Sequence, residues 1–126
     1  MSVPPEVEEL IADARLSAHV ATSVDDRPHV APVWYLYEEG VLSFVTSGRK
    51  LENLRRNPRV AVSIERAEEG DVEWSVTLLG TATVVEDEER VTPVANRIFE
   101  KYDSDEDYPF QPLLEVEVRT AAASVY

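Results

Sequence analysis

The stretch FVTSGRKLENLRRNPRV, residues 44–60, holds Arg49, Lys50, Arg55, Arg56 and Arg59, five of the twelve basic residues in a chain of 126 residues with a formal net charge of −13. A nucleic acid needs an extended basic face and is an unsuitable partner for so local a patch. One small anion suits it better. If LSFVT is a strand and RKLENLRRN a helix, the free N–H groups of the first helical turn open from the junction of Thr46, Ser47 and Gly48. An anion there gains from those donors and from the positive end of the helix dipole. Arg49 adds a bidentate guanidinium and Lys50 a point charge, a pair matched to a doubly charged phosphate. Gly48 lets the backbone come close. Cations at a helix start oppose its dipole, so their presence calls for something negative nearby. Arg55, Arg56 and Arg59 carry no such signal and are expected to pair with some of the twenty-five carboxylates.

The rest of the chain carries little reactive chemistry. It has no Ser-His-Asp order, paired-carboxylate motif or glycine-rich phosphate loop. The absence of cysteine excludes disulfides and thiolate metal sites, and two isolated histidines, His19 and His29, are too few for a zinc site. Both read as neutral or surface histidines in strands. No catalytic side chain is named, and no metal is expected.

The elements that must position the anion site follow from apolar spacing. Residues 4–15 read as a short helix, with Pro4 and Pro5 at its start and Val7, Leu10, Ile11 and Ala14 on one face. Three strands follow near 17–24, 29–37 and 41–46, separated by the turns DDRP and EEG. Residues 50–57 fit a short helix stopped at Asn57-Pro58. A strand at 59–66, an acidic loop AEEGDVE and a long strand at 74–85 come next. In the long strand Val76, Leu78, Ala82 and Val84 share one face with Gly80, and Ser75, Thr77, Thr81 and Thr83 share the other with Leu79. Gly80 predicts a bulge or a close backbone approach.

Val91, Val94, Ala95, Ile98, Phe99 and Tyr102 then recur at helical spacing. That helix either starts with Thr92 as N-cap and Pro93 at its first position, or begins near Asp87 and kinks. A polar loop over 103–109 leads to a last strand carrying Leu114, Val116 and Val118. Six strands adjacent in sequence and three short helices predict a mainly β, α+β fold whose antiparallel sheet closes as a small barrel.

With 44% apolar residues the chain fills one core, a single domain over residues 1–126. No long apolar run and no signal-peptide pattern is present, so a cytoplasmic protein without a membrane partner is expected. Two lysines against ten arginines and twenty-five carboxylates resemble a halophile's surface, adapted to a salt-rich cytoplasm; the other reading is an ordinary acidic protein.

The order RPHVAPVWYLYEEGVLSFVTSGRKLENLRRNPRVAVSI, followed by a strand carrying LLGTATVVED, resembles the pyridoxamine-5'-phosphate-oxidase-like, FMN-binding split-barrel family. The resemblance implies a homodimer with two FMN molecules at the subunit interface, each touched by both chains. It implies that Arg49 and Lys50 hold the FMN phosphate with Thr46 and Ser47. Val30, Ala31, Pro32, Val33 and Trp34 would run along the isoalloxazine ring and offer backbone groups to its polar edge. Pro32 cannot donate to a ladder, which fits an edge strand. Trp34 and Tyr35 either stack on the flavin or fill a core or an interface. Ser75 and Trp74 are the candidate contacts from the partner subunit.

The chain also departs from pyridoxamine-phosphate oxidases proper, which are longer and bind their substrate with a C-terminal segment holding basic residues and a histidine. Here Arg119 is the sole basic residue after Lys101, so synthesis of pyridoxal phosphate is not implied. Relatives that use a deazaflavin commonly carry a lysine-rich phosphate cluster, and the Arg49-Lys50 pair points instead to FMN. Three functions are then open: an FMN-dependent oxidoreductase acting on a small molecule, a deazaflavin-dependent reductase on the same scaffold, and a flavin-binding module without turnover.

Overall fold

In the computed structural model, which describes residues 3–126, three two-residue turns set the path of the chain. Asp25-Asp26, Glu39-Gly40 and Glu69-Gly70 have positive φ at both positions, the type I′ geometry whose twist matches that of the strands it joins. They connect β1 (Ala18–Val24) to β2 (Arg27–Val33), β3 (Leu36–Glu38) to β4 (Val41–Val45), and β5 (Arg59–Glu68) to β6 (Asp71–Val85). With β7 (Leu113–Val125) they form one antiparallel sheet in the order β2-β1-β5-β6-β7-β4-β3. The two edge strands, β2 and β3, are separated in sequence by Trp34 and Tyr35 alone. Among the described residues the sheet does not close by strand pairing as expected: β2 and β3 remain unpaired edges, giving a split barrel.

Three helices flank the barrel: α1 (Pro5–Ile11), α2 (Arg49–Arg56) and α3 (Glu88–Lys101). Strand alternation turns Val20, Leu42, Phe44, Val62, Ile64, Val76, Leu78, Leu114 and Val116 inward, all 2% exposed or less. Each such side chain contributes about 1.5–3 kcal/mol over an exposed one. Val7 and Ile11 of α1 and Leu54 of α2 complete this core. The buried Asn53 amide donates to Thr22 Oγ1 (3.0 Å) and fastens α2 to β1. Among the described residues no helix is long and apolar enough to cross a membrane.

The seven strands exceed the expected six because the strand anticipated over 29–37 breaks at Trp34 and Tyr35. The Tyr35 N–H donates to the Tyr102 hydroxyl (3.3 Å), and its carbonyl accepts from Lys101 Nζ (3.0 Å). Both backbone groups are thus engaged by α3 and its cap, not by a ladder. The expected acidic loop at 67–73 is instead paired strand up to its two-residue turn, with Ala67 opposite Val72 and Glu68 opposite Asp71. α3 begins after Asp87, whose side chain accepts from the Glu89 N–H (3.0 Å), and it contains Pro93; of the two starts read from the sequence, the earlier one holds. At Gly80 both expectations are met: the β6–β7 register shifts there, leaving Arg119 as the extra residue, and an added Cβ would lie 2.5 Å from the Glu117 carbonyl oxygen.

Candidate functional site

β4 ends at Val45, and the chain turns through Thr46, Ser47 and Gly48 into α2. Gly48 has φ 72° and ψ −144°, a conformation reserved in practice for glycine. A Cβ placed there would meet nothing within 4 Å, so the space beside the turn is open. Among the described residues no side chain caps α2, which leaves its first-turn donors for a ligand or water. Thr46 is buried and pinned by its N–H to the Pro112 carbonyl (3.2 Å). Ser47 Oγ accepts from Gln111 Nε2 (3.1 Å), which leaves its own hydroxyl hydrogen available.

Lys50 lines a cavity of about 400 Å³ with Pro32, Val33, Trp34, Val45, Thr46, Phe99, Tyr108 and Gln111. Apolar and aromatic walls with a few convergent polar groups are the usual character of a cofactor pocket. Trp34, 37% exposed, stacks on Tyr102 at 5.0 Å between centroids and 9° between planes, and meets Tyr108 edge-on at 6.3 Å. Tyr108 also packs on Phe99 (4.7 Å). Burial holds the Lys101 amine down to about 8, and burial pushes the Tyr35 and Tyr102 hydroxyls up.

Arg49 opens elsewhere, onto a groove shared with Arg27, Glu52, Arg55 and Arg56. Arg55 makes a bidentate pair with Glu86 (2.8 and 3.3 Å) and Arg56 pairs with Asp25 (3.2 Å), as expected. Among the described residues Arg49 and Lys50 have no ion-pair partner, and neither has Arg59, where one was expected. Arg59 lines a trough with Thr81, Leu79 and Arg119 on the outer sheet face.

Five of the eleven site residues read from the sequence, Pro32, Val33, Trp34, Thr46 and Lys50, meet in the cavity; Ser47 lies on the turn, and Arg49, the first residue of α2, opens onto the separate groove. Val30 is 63% exposed on the outer face of β2, and Ala31 is half-buried on the inner one. Trp74 lies in the barrel core, 7% exposed, and shows little surface to any partner. Ser75 is on the outer face of β6, three strand spacings or roughly 14 Å from β2. His29 keeps a buried Nδ1 with no hydrogen-bond partner among the described residues. The residues missed by sequence reasoning include Phe99, Tyr108 and Gln111 in the cavity and Tyr102 behind Trp34. Two aromatic residues, Tyr108 and Phe110, in an otherwise polar loop were the available signal.

A profile of the pyridoxamine 5'-phosphate oxidase family matches residues 4–125. The chain belongs to the pyridoxamine 5'-phosphate oxidase family. Among curated proteins none matches. Solved structures similar to this family member include an F420 reductase, at 23% identity and a TM-score of 0.77, covering 95% of this chain and 98% of that one. A FAD-binding protein from Mesorhizobium loti follows at 21% identity and 0.77, covering 98% and 95%. The FAD-binding protein from Mycobacterium smegmatis aligns at 21% identity and 0.69, covering 97% and 93%. At such identities the likeness is one of fold, the antiparallel split barrel.

On the outer face of this family member's sheet two adjacent rows hold no Asp, Glu, Lys or Arg, although Arg59 and Arg119 stand beside them. Val30, Ala21, Ala61, Leu79 and Thr120 form a row across five strands, and Pro32, His19, Ser63, Thr77 and Ala122 form the next. Val30 and Leu79 stand out from it at 63% and 50% exposure.

Proposed function

We propose that the chain is an FMN-binding protein, active as a homodimer, that carries out oxidoreduction of a small molecule. The observation that carries this reading is the meeting of Lys50 and Thr46 with Pro32, Val33 and Trp34 in one cavity at the start of α2, where neither Arg49 nor Lys50 has a carboxylate among the described residues. The residues fit the cofactor. The open space at Gly48, the uncapped helix start and the Ser47 hydroxyl suit a phosphate, with Arg49 and Lys50 supplying the countercharge. The edge strand β2 and Trp34 suit a planar ring. FMN, when bound, supplies the hydride acceptor and donor. The chain's own part is to hold the phosphate, orient the ring and keep water away through Trp34, Phe99 and Tyr108.

A flavin or deazaflavin as the cofactor class is supported by structures of the same fold, which include FAD-binding proteins and an F420 reductase. The two uncharged rows with Val30 and Leu79 exposed support a second copy as partner, since an apolar patch on so acidic a chain gains by being covered. In this reading Ser75 reaches a cofactor only from the partner subunit, and Trp74 contributes to the fold alone.

The test is the visible spectrum of the purified protein, followed by titration with FMN. Bound flavin bands, reduction by NAD(P)H and reoxidation by quinones or nitro compounds are expected. A deazaflavin band would move the chain to the deazaflavin-dependent reductase, and bound flavin without turnover to a carrier. A protein that takes up no flavin contradicts the proposal.

A further inference from the structure

The break between β2 and β3 is fastened by two consecutive side chains at the end of α3. The Tyr102 hydroxyl accepts from the Tyr35 N–H (3.3 Å) and donates to the Leu16 carbonyl (2.7 Å). Lys101 Nζ donates to the Tyr35 carbonyl (3.0 Å) and sits 3.7 Å from the centre of the Tyr35 ring. Tyr35 is itself fully buried, with its hydroxyl donating to the Ile11 carbonyl (2.6 Å). The backbone at the break is therefore held from α1, α3 and the loop before β1 together.

Trp34 sits in this break, outside both strands. With no ladder fixing its backbone and 37% of its surface exposed, its side chain has rotamer freedom to lose. One face of its ring is taken by Tyr102, whose plane lies within 9°, Tyr108 meets it edge-on, and Trp34 lines the cavity. Tyr102 is not among the cavity's lining residues. It reaches the cavity through Trp34.

We infer that Tyr102 is a positioning residue of the cofactor cavity: its hydroxyl fixes the peptide at Tyr35 while its ring holds Trp34 in one orientation towards the ligand. Lys101 fastens the other side of Tyr35. A ring set in place beforehand loses no freedom when a planar ligand arrives, which is how preorganisation raises affinity. The effect on FMN rests on the function proposed above, whereas the effect on Trp34 does not.

The experiment uses the whole chain with Tyr102→Leu, which removes ring and hydroxyl, and Tyr102→Phe, which keeps the stack. Trp34→Phe isolates the Trp34 signal from Trp74, the other tryptophan. In cofactor-free protein, acrylamide quenching of Trp34 fluorescence is expected to rise about twofold in Tyr102→Leu as the covered ring face opens. FMN affinity is expected to fall about tenfold in Tyr102→Leu and about threefold in Tyr102→Phe. A cooperatively folded Tyr102→Leu with wild-type quenching, or one that frees Trp34 with unchanged FMN affinity, overturns the inference. Should Tyr102→Leu fail to fold, Tyr102→Phe decides: weakened FMN binding with the near-UV signal of the stack retained supports it, and wild-type affinity overturns it. A wild-type protein that binds no FMN ends the flavin reading instead, and the quenching measurement then decides alone.

Discussion

Arg49 and Lys50 are consecutive, yet they open onto different spaces: Lys50 lines the aromatic cavity and Arg49 the groove shared with Arg27, Arg55 and Arg56. Under the proposed function, the two side chains would approach an anion at the start of α2 from two sides. A charge-assisted hydrogen bond contributes about 1.5–3 kcal/mol, so Arg49→Ala and Lys50→Ala should each weaken FMN binding by roughly 10- to 100-fold. Riboflavin, which lacks the phosphate, separates the two in a fluorescence titration. Its affinity should be unchanged by Arg49→Ala and altered by Lys50→Ala, whose stem lines the cavity. Equal effects of Arg49→Ala on FMN and riboflavin would contradict a phosphate role.

Gly80 lies where β6 meets the bulge in β7. A Cβ there would stand 2.5 Å from the Glu117 carbonyl oxygen and 2.8 Å from Val116 Cγ1, and the first of these is backbone. Gly80→Ala should cost about 1–3 kcal/mol, the range for overpacking, in urea denaturation. A variant as stable as wild type would mean that the sheet absorbs the methyl group by widening the bulge.

Lys101 gives stability a pH signature. Burial holds its amine down to about 8, against an ordinary 10.5, and Asp13 partly opposes the shift. Between those values the unfolded chain carries a proton that the folded chain has released, so this group makes stability rise with pH across that window. Tyr37 acts in the opposite sense. Burial and its hydrogen bond to Glu8 push its hydroxyl up to about 12 from 10.0, so its contribution is lost as pH climbs from 10 towards 12. Urea unfolding of wild type and Lys101→Met should diverge from pH 8 to 10.5, with wild type gaining. A difference flat with pH would contradict the burial of this amine.

Leu79, half exposed in one of the two uncharged rows, is the natural probe of the proposed dimer. Sedimentation in molar salt, which screens the −13 charge, should show a wild-type dimer and a monomeric Leu79→Glu. A wild-type monomer, or a dimer indifferent to Leu79→Glu, would place the interface elsewhere or remove it.

Alternation and turn residues made most of the barrel legible. Val76, Leu78 and Ala82 face inward as their spacing predicts, and Asp25-Asp26 and Glu39-Gly40 turn where turns were read. What escaped depends on partners distant in sequence. The break at Tyr35 is caused by Lys101 and Tyr102, more than sixty residues away, and no local pattern announces it. Residues 67–73 read as a loop because acidic residues and glycine disfavour strands, yet pairing across a two-residue turn overrides that preference. The small residues at the end of β7 carry no alternation, and they form a strand because β6 offers them a ladder as far as Trp74. In the site, the turn from Thr46 to Lys50 was readable from its charge and its glycine. The wall built by Phe99 and Tyr108, with Tyr102 behind Trp34, was not, since the spacing of Phe99 and Tyr102 reads equally well as core.

The central claim is that the start of α2 holds a phosphate. Titration of FMN against the double variant Arg49→Ala/Lys50→Ala, with its thermal unfolding recorded in parallel, tests it most directly. FMN retention is expected to be lost while the melting transition stays at its wild-type position. FMN bound as tightly as by the wild type, or a variant that no longer folds, would contradict the assignment.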